Sequence, residues 1–261
     1  MMNKSKWKEY VKWLSVVLIT AYIAFSLSAF TYHSKSQICS ACKVCIVDSA
    51  TLRFVSKTEV LRFLEESGHS PLGVRAEFID ESKIESVLES KSRIKRAECY
   101  LTPSGTMCID IAQREPIFRV MSSTGNYYVD SDGQIMRVAE NFAAYVPIVT
   151  GILSEKYAQE ELYDFLKFVH EDKFWNAFIE QIDVNAKKEV TLVPRVGNQL
   201  IRMGTLNEYD TKLKKLFSVY KNGFNHLGWN CYKEINLMYD GKGACTKRYC
   251  EHKKRNRHGR F

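Results

Sequence analysis

The sequence lacks the local motifs by which most enzyme active sites are recognised. It has no glycine-rich phosphate loop, no Gly-x-Ser-x-Gly turn, no His-Glu-x-x-His metal motif and no dinucleotide-binding fingerprint. Histidine is also sparse, with 6 scattered residues in 261, so no acid–base constellation emerges from the pattern. These absences predict a chain that is not an enzyme and that uses no cofactor or metal.

The central part of the chain also lacks an excess of charge. The formal net charge is +8, but residues 1–13 contribute +3 and residues 247–261 contribute +6, which leaves −1 for the rest. A nucleic-acid-binding groove places its positive charge on the folded body. The distribution therefore excludes nucleic acid as a partner and predicts a disordered basic tail at residues 250–261.

One long uncharged run stands out near the N-terminus. Residues 13–30 contain no charged side chain, and as a helix they would be about 27 Å long, enough to cross the hydrocarbon core of a bilayer. Four lysines precede the run, which predicts a cytoplasmic arm at residues 1–12, a transmembrane helix at residues 13–32 and export of the residues beyond it. A cleaved signal peptide is the competing interpretation, because Ser26-Leu27-Ser28 is a small-x-small cleavage pattern.

Three of the 8 cysteines lie shortly after this run. Cys39, Cys42 and Cys45 form a C-x-x-C-x-x-C pattern, which is open to a thiol or metal site although no fourth ligand lies close behind them. The other interpretation is that they are small apolar residues at the start of a strand. A structural disulfide is expected between Cys99 and Cys108, since these two residues would lie across one hairpin.

The chain up to Glu115 predicts a compact unit of two helices on a small sheet. The predicted elements are a strand at Val44–Asp48, helices that begin after Ser56 and Asp80, and strands at Ile94–Leu101 and Met107–Gln113. Their order is β-α-α-β-β. Pro116 interrupts the pattern and marks a boundary.

Beyond this boundary the sequence predicts a larger, strand-rich unit. Its predicted strands are Ile117–Met121, Asn126–Val129, Gln134–Val138, Ile182–Asn185, Val190–Val193, Gln199–Met203, Lys233–Tyr239 and Ala244–Tyr249. Two helices are predicted, from Ser154 to about His170 and from Asn207 to Tyr220. Pro147–Gly151 is predicted to be a loop, and Asp130–Gly133 a hairpin turn rather than a calcium loop.

The order of these segments resembles the bacterial cell-division family FtsQ, called DivIB in some bacteria. Six short stretches carry the resemblance: Ser92–Pro103 before the hairpin, the Arg-Glu-Pro junction in Gln113–Pro116, Tyr127–Gly133, Val146–Gly151, Ile201–Gly204 and Ile235–Gly241. With the N-terminal arm and anchor included, the resemblance covers about residues 1–249. Two features depart from the family pattern: Met238 stands where an arginine often precedes the tyrosine, and the cysteine cluster is not a family trait.

The resemblance implies an α+β protein with a single N-terminal transmembrane helix, a small POTRA (βααββ) domain and a mixed α/β, strand-rich β domain. The expected segments are a cytoplasmic arm (1–12), a transmembrane helix (13–32), a juxtamembrane linker (33–43), a POTRA domain (44–115), an FtsQ-type β domain (116–249) and a basic tail (250–261). Such a protein lies in the inner membrane at the division site, with its C-terminal bulk in the periplasm.

The resemblance also implies a non-enzymatic divisome adaptor. It would bind the FtsB/FtsL coiled-coil pair and link early and late division proteins, with its POTRA domain facing upstream division proteins. The partner-binding residues carried over from the family are Tyr239, Asp240, Gly241, Lys242, Gly243 and Ala244. The alternative is a membrane-anchored periplasmic thiol or metal protein that uses the three clustered cysteines.

Overall fold

A computed structural model describes six segments of the chain, residues 13–26, 37–47, 50–140, 142–224, 232–238 and 244–247. The chain divides into two compact units, Met1–Gln113 and Arg114–Phe261. The predicted cytoplasmic arm, part of the juxtamembrane linker and the basic tail lie outside the described residues.

The first described segment, residues 13–26, is a helix, α1, inside the run predicted to be transmembrane. In the part of the chain that the structure describes, no helix is long and apolar enough to cross a membrane. Residues 27–32 of the predicted span lie outside that part.

The rest of the first unit has the predicted βααββ order. Its elements are β1 (Ala41–Ile46), α2 (Lys57–Glu66), a short 3₁₀ helix (Ala76–Phe78), α3 (Glu81–Glu89), β2 (Ile94–Leu101) and β3 (Thr106–Gln113). Strand β3 is central in the three-stranded sheet, parallel to β1 and antiparallel to β2. Both edges of this sheet are therefore formed by the outer strands β1 and β2.

Both helices of this unit begin at the residues whose side chains were predicted to cap them. The Ser56 hydroxyl accepts a hydrogen bond from the Glu59 N–H at 3.1 Å, and the Asp80 carboxylate accepts one from the Lys83 N–H at 3.0 Å. Burial follows the helical period on each helix and every second residue on β3. The buried apolar side chains of these three elements are Val60, Leu64, Ile84, Leu88, Met107, Ile109 and Ile111.

In its described residues, the second unit contains nine strands in one sheet and a set of helices. The strands are β4 (Pro116–Ser122), β5 (Gly125–Asp130), β6 (Ile135–Arg137), β7 (Ile148–Gly151), β8 (Ile179–Val184), β9 (Val190–Pro194), β10 (Leu200–Gly204), β11 (Tyr232–Asn236) and β12 (Ala244–Lys247). The helices are α4 (Glu155–Gln159), α5 (Glu161–Glu171), α6 (Lys173–Phe178), α7 (Tyr209–Val219) and a π-helix (Tyr220–Phe224). The sheet runs in the order β12-β11-β10-β9-β8-β7-β4-β5-β6.

One buried cluster joins this sheet to its helices. The inward-facing residues of the strands, such as Val120, Ile182 and Ile201, lie in the same cluster as Phe165 of α5 and Leu216 of α7. All five side chains are fully buried. At about 25 cal/mol per Å² of apolar surface, such burial is the main stabilising contribution to this unit.

The predicted loop at Pro147–Gly151 is wrong. Residues Ile148–Gly151 form β7, which pairs in parallel with both β4 and β8. The strand is only four residues long, follows Pro147 and ends in Gly151. These two residues are typical of turns, and they outweighed the signal of three consecutive β-branched residues in the prediction. The predicted single helix from Ser154 is divided at Glu160 into α4 and α5, and α6 was not predicted.

The end of β7 requires a glycine. Gly151 has a φ of +105°, and a Cβ there would lie 2.0 Å from the Val184 carbonyl oxygen on β8. Gly133 shares the positive φ, at +75°, but a Cβ there would lie 3.6 Å or more from the nearest side-chain atoms, those of Tyr163. A side chain at Gly133 would therefore meet only an unfavourable φ, whereas one at Gly151 would meet an unfavourable φ and a clash with β8.

We predict that Gly151→Ala destabilises the second unit by about 3 kcal/mol or more, since it combines an unfavourable φ with overpacking against backbone. Gly133→Ala should cost about 1 kcal/mol. Urea denaturation followed by circular dichroism measures both free energies of unfolding. Equal losses in the two variants would contradict the clash at β8.

Candidate partner-binding edge

Strand β12 forms one outer edge of the nine-stranded sheet. It pairs antiparallel with β11, with Ala244 opposite Asn236 and Thr246 opposite Glu234. Among the described residues, no strand pairs with its other side. An outermost strand presents unpaired N–H and C=O groups, to which a further strand can bind.

The position of this edge depends on the parallel pairing of β10 with β11. Ile201 lies opposite Ile235 in that pair, and the Leu237 N–H donates to the Arg202 carbonyl at 2.8 Å beyond it. Ile201, Ile235 and Leu216 belong to one buried cluster. Helix α7, which lies between β10 and β11 in the chain, thus covers the inner face of the strands that support β12.

Polar groups are displayed on the outer face of the same strands. The Arg202 Nε lies 2.6 Å from a Glu234 carboxylate oxygen, and both side chains are partly exposed. Thr246, opposite Glu234, is exposed. A strand added to β12 would therefore lie beside a polar surface that is already paired across β10 and β11.

The structure describes one of the six residues predicted to bind the partner. Ala244 is the first residue of β12, whereas residues 239–243 lie outside the described part of the chain. Met238, just before them, is exposed and approaches Gly204, where an added Cβ would lie 3.1 Å from its Cγ. Thr246 was not among the residues predicted from the sequence to bind the partner. The signal available for it was the strand predicted at Ala244–Tyr249, of which only the first residue was assigned to the site.

A second feature of this unit is the buried ion pair at its N-terminal end. Arg114 Nη1 lies 2.9 Å from Asp130 Oδ2, and Asp130 is 1% exposed. Its other oxygen accepts hydrogen bonds from the N–H groups of Asp132 and Gln134 at 2.9 and 2.7 Å. The Arg-Glu-Pro stretch and the Asp-Ser-Asp-Gly turn thus form one structure, and the predicted hairpin turn is confirmed.

Two family models match the chain along most of its described length. One, described as FtsQ/DivIB, C-terminal related, matches residues 115–246, about half of the chain. The other, a POTRA-like domain, matches residues 37–112. The chain belongs to the FtsQ/DivIB family. This is a family of cell-division proteins that are generally not enzymes. No curated protein matches the chain.

The three clustered cysteines of this FtsQ/DivIB protein do not all lie together, because Cys42 neighbours Cys39 whereas Cys45 lies apart. On β1, Val44 and Ile46 are buried, so Cys42 faces inward with them, whereas Cys45 is exposed on the opposite face. Within the described ranges, no group of three or more His, Cys, Asp or Glu residues could hold a metal ion. Among these residues the three cysteines therefore form no common metal site, whereas the thiol alternative stays a prediction.

The expected Cys99–Cys108 disulfide is also wrong. The β2–β3 register pairs Cys99 with Ile109 and Tyr100 with Cys108, one residue away from the pairing that a direct bridge requires. A shift of one residue turns a side chain to the other face of the sheet. Cys99 is accordingly buried, Cys108 is partly exposed on the other face, and both thiols are free.

The inward-facing thiols are poor nucleophiles. Burial raises the pKa of Cys42 to about 11, with a further contribution from neighbouring Cys39. Burial likewise raises the pKa of Cys99 to about 12, with contributions from the Glu85 and Glu81 carboxylates. Because the thiolate is the reactive form, a raised pKa makes each thiol less reactive at neutral pH.

We predict that iodoacetamide at pH 8 alkylates Cys45 at least tenfold faster than Cys42 or Cys99, because Cys45 is exposed and the other two stay protonated. Peptide mass spectrometry resolves the three sites. Denatured protein, in which burial is absent, provides the control and should react at comparable rates at all three. Fast alkylation of Cys42 in the folded chain would contradict the inward orientation.

We also predict that Arg114→Leu destabilises the second unit by about 2–4 kcal/mol, since it leaves the buried Asp130 carboxylate without its cation. Lys214→Leu removes an exposed ion pair with Asp210 in the same unit and should cost under about 1 kcal/mol. Urea denaturation measures both. A loss for Arg114→Leu no larger than for Lys214→Leu would show that the pair is energetically unimportant.

Proposed function

We propose that this chain is a membrane-anchored adaptor of the division machinery. It would bind the FtsB/FtsL coiled-coil pair through β12, to which the partner adds a strand. The observation that supports this most is the place of β12 at the outer edge of the nine-stranded sheet. Strand addition satisfies backbone groups that an outermost strand leaves free. Membership of a family of cell-division proteins supports the same assignment.

The region we propose to contact the partner extends from Tyr239 to Lys247. It includes the six residues predicted from the sequence, Tyr239 to Ala244, and adds the rest of β12. Backbone hydrogen bonds supply much of the affinity in strand addition, while alternate side chains determine specificity. Thr246, which is exposed on β12, is the described side chain most suited to that second role.

The anchor is proposed from the sequence. The uncharged run of residues 13–30 comes after a lysine-rich segment, so the N-terminus would stay in the cytoplasm, and the POTRA domain and the second unit, which follow the run, would be exported. This topology would put β12 in the periplasm, where the family resemblance implies that the FtsB/FtsL pair is bound. The POTRA domain would then be free to contact upstream division proteins.

Site-specific photo-crosslinking in living cells tests the proposal. A photoreactive residue at Tyr239 or Thr246 is expected to capture small single-pass coiled-coil proteins, identified by mass spectrometry as FtsB or FtsL. Glu65, exposed on α2 of the other unit, is the matched control and should capture neither. Failure at both edge positions, in a chain that still gathers at the division site, would contradict binding at β12.

A pair of truncations checks the same edge independently. A chain that ends at Gly243 lacks β12, whereas a chain that ends at Tyr249 lacks only the basic tail. The first should lose at least tenfold in co-purified FtsB/FtsL and the second should retain it. Equal recovery with both chains would place the contact elsewhere.

A further inference from the structure

The free edge of β2 in the first unit is occupied by side chains of α3. The N–H groups of Ala97, Cys99 and Leu101 donate to carboxylate oxygens of Glu89, Glu85 and Glu81, at 3.1, 2.7 and 2.9 Å respectively. These are alternate residues of one strand bonded to every fourth residue of one helix. We call the three bonds the glutamate ladder.

The two periodicities match closely. Four residues of α-helix rise about 6.0 Å, and two residues of an antiparallel strand rise about 6.8 Å. From Glu81 to Glu89 along the helix, the bonded strand residues run in the opposite direction, from Leu101 to Ala97. A single helix lying antiparallel to the strand therefore reaches three successive outward N–H groups with one type of side chain.

The ladder lies on the outer side of β2. In an antiparallel pair, alternate residues direct their N–H groups toward the partner strand. The Thr102 N–H donates to the Thr106 carbonyl at 2.9 Å across the hairpin, so the residues in phase with Thr102 face β3. Ala97, Cys99 and Leu101 are in the opposite phase, which leaves their N–H groups at the edge of the sheet.

The helix that presents the ladder is held firmly. Its Ile84 and Leu88 are 4% and 0% exposed, and Asp80 caps its first turn. The carboxylates of Glu85 and Glu81 also contribute to the raised pKa of Cys99, which is consistent with their position along β2. Hydrogen bonds between a carboxylate and a backbone N–H are stronger than those between neutral groups.

We propose that the glutamate ladder closes the β2 edge of the POTRA domain to strand addition. At eight residues, β2 is the longer of the two outer strands of its sheet, and an unprotected edge of that length would invite pairing with another chain. An incoming strand would have to displace three carboxylates from three N–H groups. The further consequence, that strand-adding partners are directed to β12, rests on the proposed function.

Amide-resolved hydrogen–deuterium exchange of the full chain in detergent micelles tests the ladder. In the Glu85→Ala/Glu89→Ala variant, the amides of Ala97 and Cys99 should exchange at least about tenfold faster than in the unaltered chain. The Met107 amide on the central strand should remain slow, because alanine favours helix and leaves α3 intact. Unchanged exchange at Ala97 and Cys99 would overturn the proposal.

The matched control is Glu65→Ala/Glu66→Ala on α2. It makes the same chemical change and the same change of charge at exposed positions of a neighbouring helix, and it should leave the two amides slow. Glu85→Gln/Glu89→Gln retains acceptor oxygens and should preserve most of the protection. A loss of protection in the Gln variant as large as in the Ala variant would contradict a hydrogen-bonded ladder.

Strand addition itself is measured with a fluorescent peptide that copies residues 94–101 with Cys99→Ser. Fluorescence anisotropy should show at least tenfold tighter binding to the Glu85→Ala/Glu89→Ala chain than to the unaltered chain or the α2 control. Equal binding to all three would overturn the closing role. Neither readout involves FtsB or FtsL, so failure of crosslinking at β12 would remove the proposed function and leave this inference standing.

Discussion

The backbone hydrogen bonds at the outer strands constrain both sheets of this protein. A sheet has two margins, and each carries N–H and C=O groups that need water, a side chain or another strand as a partner. In the POTRA domain, α3 supplies carboxylates to the outer N–H groups of β2. In the second unit, β12 has a strand on one side only among the described residues. The same constraint is thus met in two different ways, one that removes a binding surface and one that leaves it available.

Two local features outside the hydrophobic core also determine the structure of the second unit, namely an ion pair and a glycine. The Arg114–Asp130 pair ties the first residue of the unit to the turn between β5 and β6. Gly151 lets β7 lie directly against β8, at a distance no other residue would allow. A buried ion pair of this kind is weak evidence for net stability, because desolvation offsets much of its Coulomb energy. Removal of one partner is nevertheless costly, because it leaves the other charge buried and unpaired.

The sequence was most informative where a local rule determines the structure. The caps at Ser56 and Asp80, both strands of the POTRA hairpin and the Asp130–Gly133 turn follow from short-range chemistry, and their predictions are confirmed. The prediction failed at β7, where the burial of Val149 between two parallel neighbours outweighs the turn-forming residues around it. It failed again for Cys99 and Cys108, because the register of a hairpin with a four-residue turn cannot be read to within one residue from composition.

The two candidate sites, β12 and the glutamate ladder, differ in the same way in how far the sequence predicts them. The family motifs led to Ala244 and hence to β12, since Ile235–Gly241 resembles the penultimate strand and turn of the family. The glutamate ladder could not be predicted, although Glu81, Glu85 and Glu89 are plainly spaced by four on one helix. That spacing is typical of a solvated face, and only the tertiary packing of α3 along β2 turns it into an edge cover. A contact made through backbone groups also places few demands on side chains. Met238, where the family often has an arginine, is therefore compatible with binding at β12, whereas loss of the strand would not be.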